Sequence, residues 1–139
     1  MSNQANVDFT FHNVGQGLFY SGRINNFNFV YDCGSETRPH LKKSVNEYIK
    51  NKLNNEKIDL LVLSHLHDDH IAGLKFFFDT KISFKTVILP YLSPFERLIV
   101  TLNIINLPNW FYDFWADPAN YLVERGSTVV FIGNGIGFN

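Results

Sequence analysis

Six consecutive positions, His65-Leu66-His67-Asp68-Asp69-His70, hold three of the chain's five histidines and two aspartates. Histidines one residue apart on extended backbone point the same way, so His65 and His67 can approach one ion together. Asp69 and His70 follow where the chain is expected to bend toward a helix, and can face a second ion nearby. Neutral imidazoles and a carboxylate form a ligand set for zinc, with manganese or iron as alternatives. An ion of this type lowers the pKa of its water to about 7 and so supplies hydroxide at neutral pH. The plain alternative is a polar loop that merely happens to be rich in histidine.

The flanking sequence argues against that alternative. Ile58-Asp59-Leu60-Leu61-Val62-Leu63 is an apolar run of strand length, and Ile71 to Phe78 reads as a buried helix. A strand that ends in a polar knot and restarts as a helix places the knot at one end of a sheet, where open α/β sheets bind ligands. Upstream, Val7 to His12 alternates apolar and polar residues, the pattern of a half-buried strand. Asn13 to Gly17 turns the chain, Leu18 to Ser21 resumes it, Arg23 to Asn26 reads as a turn, and Phe27 to Tyr31 is a third strand ended by Asp32-Cys33-Gly34-Ser35. Short strands and tight turns predict an antiparallel meander. Pro39 then opens an amphipathic helix with Leu41, Val45, Tyr48, Ile49 and Leu53 on its apolar side and Asn54-Asn55 at its end.

Downstream, Lys85 to Pro90 is a strand parallel to Ile58–Leu63, joined to it by a right-handed crossover. Ser93-Pro94-Phe95-Glu96 has the residues of a capping box, and Leu98, Ile99, Leu102 and Ile105 give the helix it starts an apolar stripe. Pro108 to Ala116 predicts another short helix. Asp117-Pro118 opens one ending near Gly126, and Ser127 to Ile132 a last strand, which the glycine-rich Gly133 to Gly137 does not continue. The class is α/β: a mixed sheet with helices packed on it.

Composition narrows the function. At 139 residues and 45% apolar content the chain suits one domain with its own core. A net charge of −1 gives no whole-surface electrostatic case for nucleic acid. The single Cys33 excludes a disulfide framework and suits a reducing compartment. Met1 to Asn6 lacks the segments of a signal peptide, and no apolar run approaches the length of a membrane span. A soluble cytoplasmic protein is expected. His12 and His40 are assigned no role, Cys33 is read as a small buried residue, and Trp110 to Trp115 as core, with a docking surface as the alternative.

The pattern His-x-His-x-Asp-His, at His65, His67, Asp69 and His70, resembles the signature of the metallo-β-lactamase-fold hydrolases. The preceding order of strands, Asp32 followed by Gly34, helix and buried strand is similar to the N-terminal half of that αββα sandwich. Phe11-His12-Asn13-Val14-Gly15-Gln16-Gly17 resembles the opening of the branch related to the DNA-uptake competence hydrolases. The resemblance implies that His65 and His67 serve one zinc and Asp69 and His70 a second. It further implies that Asp32 supports them from behind, that Asp69 helps to handle the water's proton, and that the substrate is a phosphoester, nucleic acid or nucleotide.

The chain departs from the family in one respect. The fold's second half brings a further His to the first metal, a bridging Asp, and a last His, whereas no histidine follows His70 here. The expected domain, residues 1–139, therefore corresponds to the N-terminal portion of the fold. Three readings follow: part of a hydrolase, a degenerate binding or regulatory module, or half of a split enzyme completed by a partner chain.

Overall fold

In a computed structural model that describes residues 4–133, six strands pair in the order in which they occur. β1 (Val7–Phe11), β2 (Gly17–Ile24) and β3 (Phe27–Ser35) form the expected antiparallel meander. β4 (Ile58–Val62), β5 (Phe84–Pro90) and β6 (Thr128–Ile132) join β3 in parallel, making the sheet mixed. α1 (Arg38–Tyr48) carries proline in its first turn and passes into a π-helical turn, Ile49–Leu53, which Asn54 closes with a φ of 53°. Its predicted apolar side is buried, from Leu41 to Leu53. The termini, read above as a leaderless start and a glycine-rich end, lie in part outside the described residues. No helix among the described residues is long and apolar enough to cross a membrane.

Several expectations are corrected. β2 continues past Ser21 to Ile24, because Val7 and Phe27 hold its end in register from either side. This shortens the turn to Asn25-Asn26, with Asn25 at a φ of 53°. β3 does not stop at Tyr31 but runs on to Ser35 through an irregularity: Tyr20 pairs with Tyr31, Phe19 with Cys33, and Asp32 has no partner on β2. Such a bulge adds one residue to a strand and re-aims its side chain.

The buried helix predicted over Ile71 to Phe78 is two, α2 (Asp68–Ile71) and α3 (Leu74–Asp79), so Asp69 and His70 lie within a helix rather than at a bend. Gly73 separates them. Its amide donates to the Cys33 carbonyl at 2.7 Å, and a Cβ there would sit 2.2 Å from Cys33 Sγ.

α4 (Pro94–Leu102) has both halves of the predicted capping box: Glu96 N donates to Ser93 Oγ at 3.2 Å, and Ser93 N to Glu96 Oε2 at 2.7 Å. Its stripe, however, buries no side chain, and Phe95, Leu98, Ile99 and Leu102 are exposed. α5 (Asn109–Ala116) and α6 (Pro118–Val123) follow as expected, with Asp117 Oδ1 accepting from Asn120 N at 3.0 Å. Phe111, Phe114 and Trp115 are core, as read from the sequence.

Candidate metal centre

The motif begins where β4 ends. Beyond Val62, Leu63 still bonds to the Ile88 carbonyl at 2.8 Å, so the chain leaves the sheet in extended form. His65 is exposed, Leu66 is buried and His67 is exposed. Leu66 thus anchors the segment while both imidazoles project, their rings near-parallel at 14° with centroids 6.3 Å apart. His67 stays extended and caps α2 through its carbonyl, which accepts from His70 N at 3.0 Å and Ile71 N at 3.1 Å. Asp68 and Asp69 occupy the first turn, where the helix dipole favours carboxylates.

Asp32 organises this corner from β3. Its side chain is fully buried, and its backbone holds a φ of 53°. A left-handed conformation at a non-glycine residue persists only where the surroundings enforce it. The carboxylate takes three donors: Ser64 N to Oδ1 at 2.7 Å, the Ser64 hydroxyl to Oδ2, and His70 Nδ1 to Oδ2 at 2.7 Å. A buried carboxylate is tolerated only when it is satisfied in this way. With its Nδ1 proton directed at Asp32, His70 offers Nε2 as a lone pair, 3.5 Å from Asp69 Oδ2. The His65 ring lies 5.1 Å from that of His70, centroid to centroid.

Close backbone approach makes the arrangement possible. A Cβ at Gly34 would lie 2.3 Å from the carbonyl carbon of Asp69 and from His70 N, so only glycine lets β3 touch α2 there. Arg38 braces the same junction, pairing with Asp68 and donating to the Ser35 carbonyl at 2.5 Å. In the sequence Gly34 stands out only by its place after Asp32, and Ser64 does not stand out at all. Arg38 gave no sequence signal, because its partner lies 30 positions away.

The other residues read from the sequence fall outside this corner. His12 stacks on Phe19 at 3.9 Å, its Nε2 lies 2.8 Å from Ser21 Oγ, and burial pushes the imidazole down to about 4. His40 is exposed on α1. Cys33 is fully buried; burial, and after it the neighbouring Asp32, push its thiol up, so it is an inert core residue. The Val14 and Gln16 carbonyls accept from Ser35 Oγ at 2.5 and 3.0 Å, which ties the glycine turn to the end of β3. Of the later aspartates, Asp79 pairs with Lys75 at 3.0 Å and Asp117 caps α6.

The donor chemistry suits a divalent ion, since His70 backed by Asp32 is the carboxylate–histidine arrangement that prepares an imidazole for a metal. The donors come in pairs, His65 beside His67 and Asp69 beside His70. Among the described residues no group of three or more His, Cys, Asp or Glu side chains is gathered that could hold an ion.

Residues 14–82, which run from the first turn through the motif, match the metallo-beta-lactamase superfamily, whose members generally bind metal ions. Ribonuclease Z of Borreliella afzelii (strain PKo) is 40% identical over 50 residues, covering 36% of this chain and 14% of that protein. Ribonuclease Z of Borreliella burgdorferi (strain ZS7) is 40% identical over 47 residues, covering 34% of this chain and 12% of that protein. Human tRNase Z, short form, superposes with a TM-score of 0.50 at 16% identity, over 94% of this chain and 46% of that one, a likeness of fold. The chain thus matches a small part of the curated relatives and less than half of the solved one.

Proposed function

We infer that this chain, whose residues 14–82 belong to the metallo-beta-lactamase superfamily, contributes the N-terminal metal-binding half of a hydrolase that cleaves phosphodiester bonds in nucleic acid. One observation carries the reading: a buried carboxylate, Asp32, holds His70 by Nδ1 beside Asp69, at the end of the strand that also delivers His65 and His67. His65 and His67 would hold one zinc ion, Asp69 and His70 a second, and manganese or iron would suit the same donors. When bound, such an ion supplies a water whose pKa is lowered to about 7. The chain's own residues do the rest. Asp32 fixes the His70 ring, Leu66 anchors the two projecting imidazoles, and Asp69, whose Oδ2 lies 3.5 Å from His70 Nε2, would help to handle the proton of the water. The relatives named ribonuclease Z support a nucleic-acid substrate.

Each position has two protein ligands here, whereas a catalytic zinc takes about three. The remaining ligands would come from a further part of the same fold or from a partner chain. The sheet's second face, apolar and uncovered, supports that view. Parallel strands are almost always covered on both sides, yet Val130 and Ile132 of β6, which runs parallel to β5, are 42% and 61% exposed. A cytoplasmic location fits the single, buried Cys33.

A non-catalytic binding module is the competing reading, favoured by the exposed Phe95, Leu98 and Leu102 of α4. Hydrolysis of bis(p-nitrophenyl) phosphate and of a short RNA separates the two. Both substrates would be tested on this chain and on any longer or assembled product, each loaded with zinc. Activity in the completed form that His67→Ala and Asp69→Ala abolish is expected. A zinc-loaded completed form with no hydrolysis of either substrate would leave the binding module standing.

A further inference from the structure

We propose that Ser64 is a positioning residue through which Asp32 sets the proton of His65 as well as that of His70, so that both rings present Nε2 to a divalent cation. The proposal rests on the metal-binding reading above and adds to it a residue and a mechanism of preorganisation.

An ionised carboxylate only accepts. Asp32 Oδ2 receives His70 Nδ1 at 2.7 Å and also the Ser64 hydroxyl, while Oδ1 receives Ser64 N at 2.7 Å. Ser64 has a single hydroxyl proton, and it is committed to Asp32. Its oxygen is left with lone pairs alone, and His65 Nδ1 stands 3.0 Å away. A hydrogen bond there requires the proton to sit on His65 Nδ1. His70 Nδ1 also lies 3.4 Å from the Ser64 oxygen, but its one proton is directed at Asp32, so it takes no proton from the Ser64–His65 contact.

Both rings therefore keep their protons on the nitrogen facing the protein, and both Nε2 atoms carry free lone pairs. Free histidine in water prefers the opposite tautomer, with the proton on Nε2. The buried carboxylate reverses that preference twice, once by direct contact and once through a hydroxyl. Nothing in the six-residue motif encodes this, because Ser64 precedes it and Asp32 lies 32 positions upstream.

Long-range 1H–15N correlation spectra of metal-free, 15N-histidine-labelled protein near pH 8 test the relay without any metal. His65 and His70 are both expected as Nδ1–H tautomers. In Ser64→Ala, His65 should revert to Nε2–H while His70 stays as it was, and His12, bonded to Ser21, serves as the internal control. Ser64→Thr, which keeps the hydroxyl, should restore His65. Zinc affinity should fall roughly 10- to 100-fold in Ser64→Ala and recover in Ser64→Thr. A wild-type His65 already protonated on Nε2 would overturn the proposal whether or not the variants fold. So would an unchanged His65 tautomer in Ser64→Ala, or a shifted tautomer with unaltered zinc affinity. Correct tautomers in a wild-type chain that binds no zinc would instead contradict the metal reading and leave the relay intact.

Discussion

The two faces of the sheet are finished to different degrees. On one, Phe19, Val30, Leu61 and Val87 are fully or almost fully buried, and Phe19 meets Tyr48 of α1 and Phe77 of α3 edge-on at 5.4 and 6.2 Å. On the other, strand register lines up Phe11, Tyr20, Tyr31, Val62, Ile88 and Val130 across all six strands. That row contains no charge, and Phe11, Tyr31 and Val130 are exposed. Adjacent residues make the contrast plainest. Phe11 points away from the helices while His12 stacks against Phe19 beneath them. The Asp32 corner depends on the finished side, through Gly34 against α2 and Gly73 against Cys33 of β3, and asks nothing of the open one. Among the described residues, a preorganised set of candidate ligands thus stands on a sheet covered on one face only.

Truncating an aromatic residue on each face tests the contrast most strongly. Phe19→Ala should cost about 3–5 kcal/mol, the usual loss for a buried phenylalanine, whereas Phe11→Ala should stay within about 0.5 kcal/mol. Urea unfolding curves measure both, and comparable losses would mean that the open face is covered in solution. Next in size is the strand–helix junction. Gly34→Ala forces a Cβ against the Asp69 and His70 backbone and should cost roughly 3 kcal/mol. Gly126→Ala, at a φ of +89° with open space around it, should cost only about 1 kcal/mol of backbone strain. A smaller effect is expected from pH. Burial first, then the charge of Lys52, push His12 down to about 4, whereas an unfolded histidine titrates near 6.5. The unfolded chain therefore takes up the proton first, so this part of the stability is complete above about pH 6.5 and is lost as pH falls toward 4. His12→Phe should flatten the melting temperature over that window; an unchanged slope would remove His12 from the account.

How much of this could be read beforehand depended on how local the cause was. Ser93 and Glu96 are three residues apart and form the predicted capping box. Strand β4 feeding a histidine-rich helix start was legible for the same reason, from a continuous apolar run. The orientation of β1 was not. Alternation in Val7 to His12 identifies two faces but not which one meets the helices, and here the apolar residues face outward while Asp8 pairs with Lys52 at 2.7 Å. Nor was the bulge at Asp32, which follows from a register shift against β2 rather than from any residue near it. Ser64 was invisible as a participant because its hydroxyl acquires direction only from Asp32.

Zinc titration of the metal-free chain, followed by dialysis and metal analysis, tests the central claim that His65, His67, Asp69 and His70 form a metal half-site. The account predicts weak binding of at least one equivalent, abolished in His67→Ala and intact in His40→Ala. Less than about a tenth of an equivalent at saturating zinc, or equal loss in both variants, would contradict it.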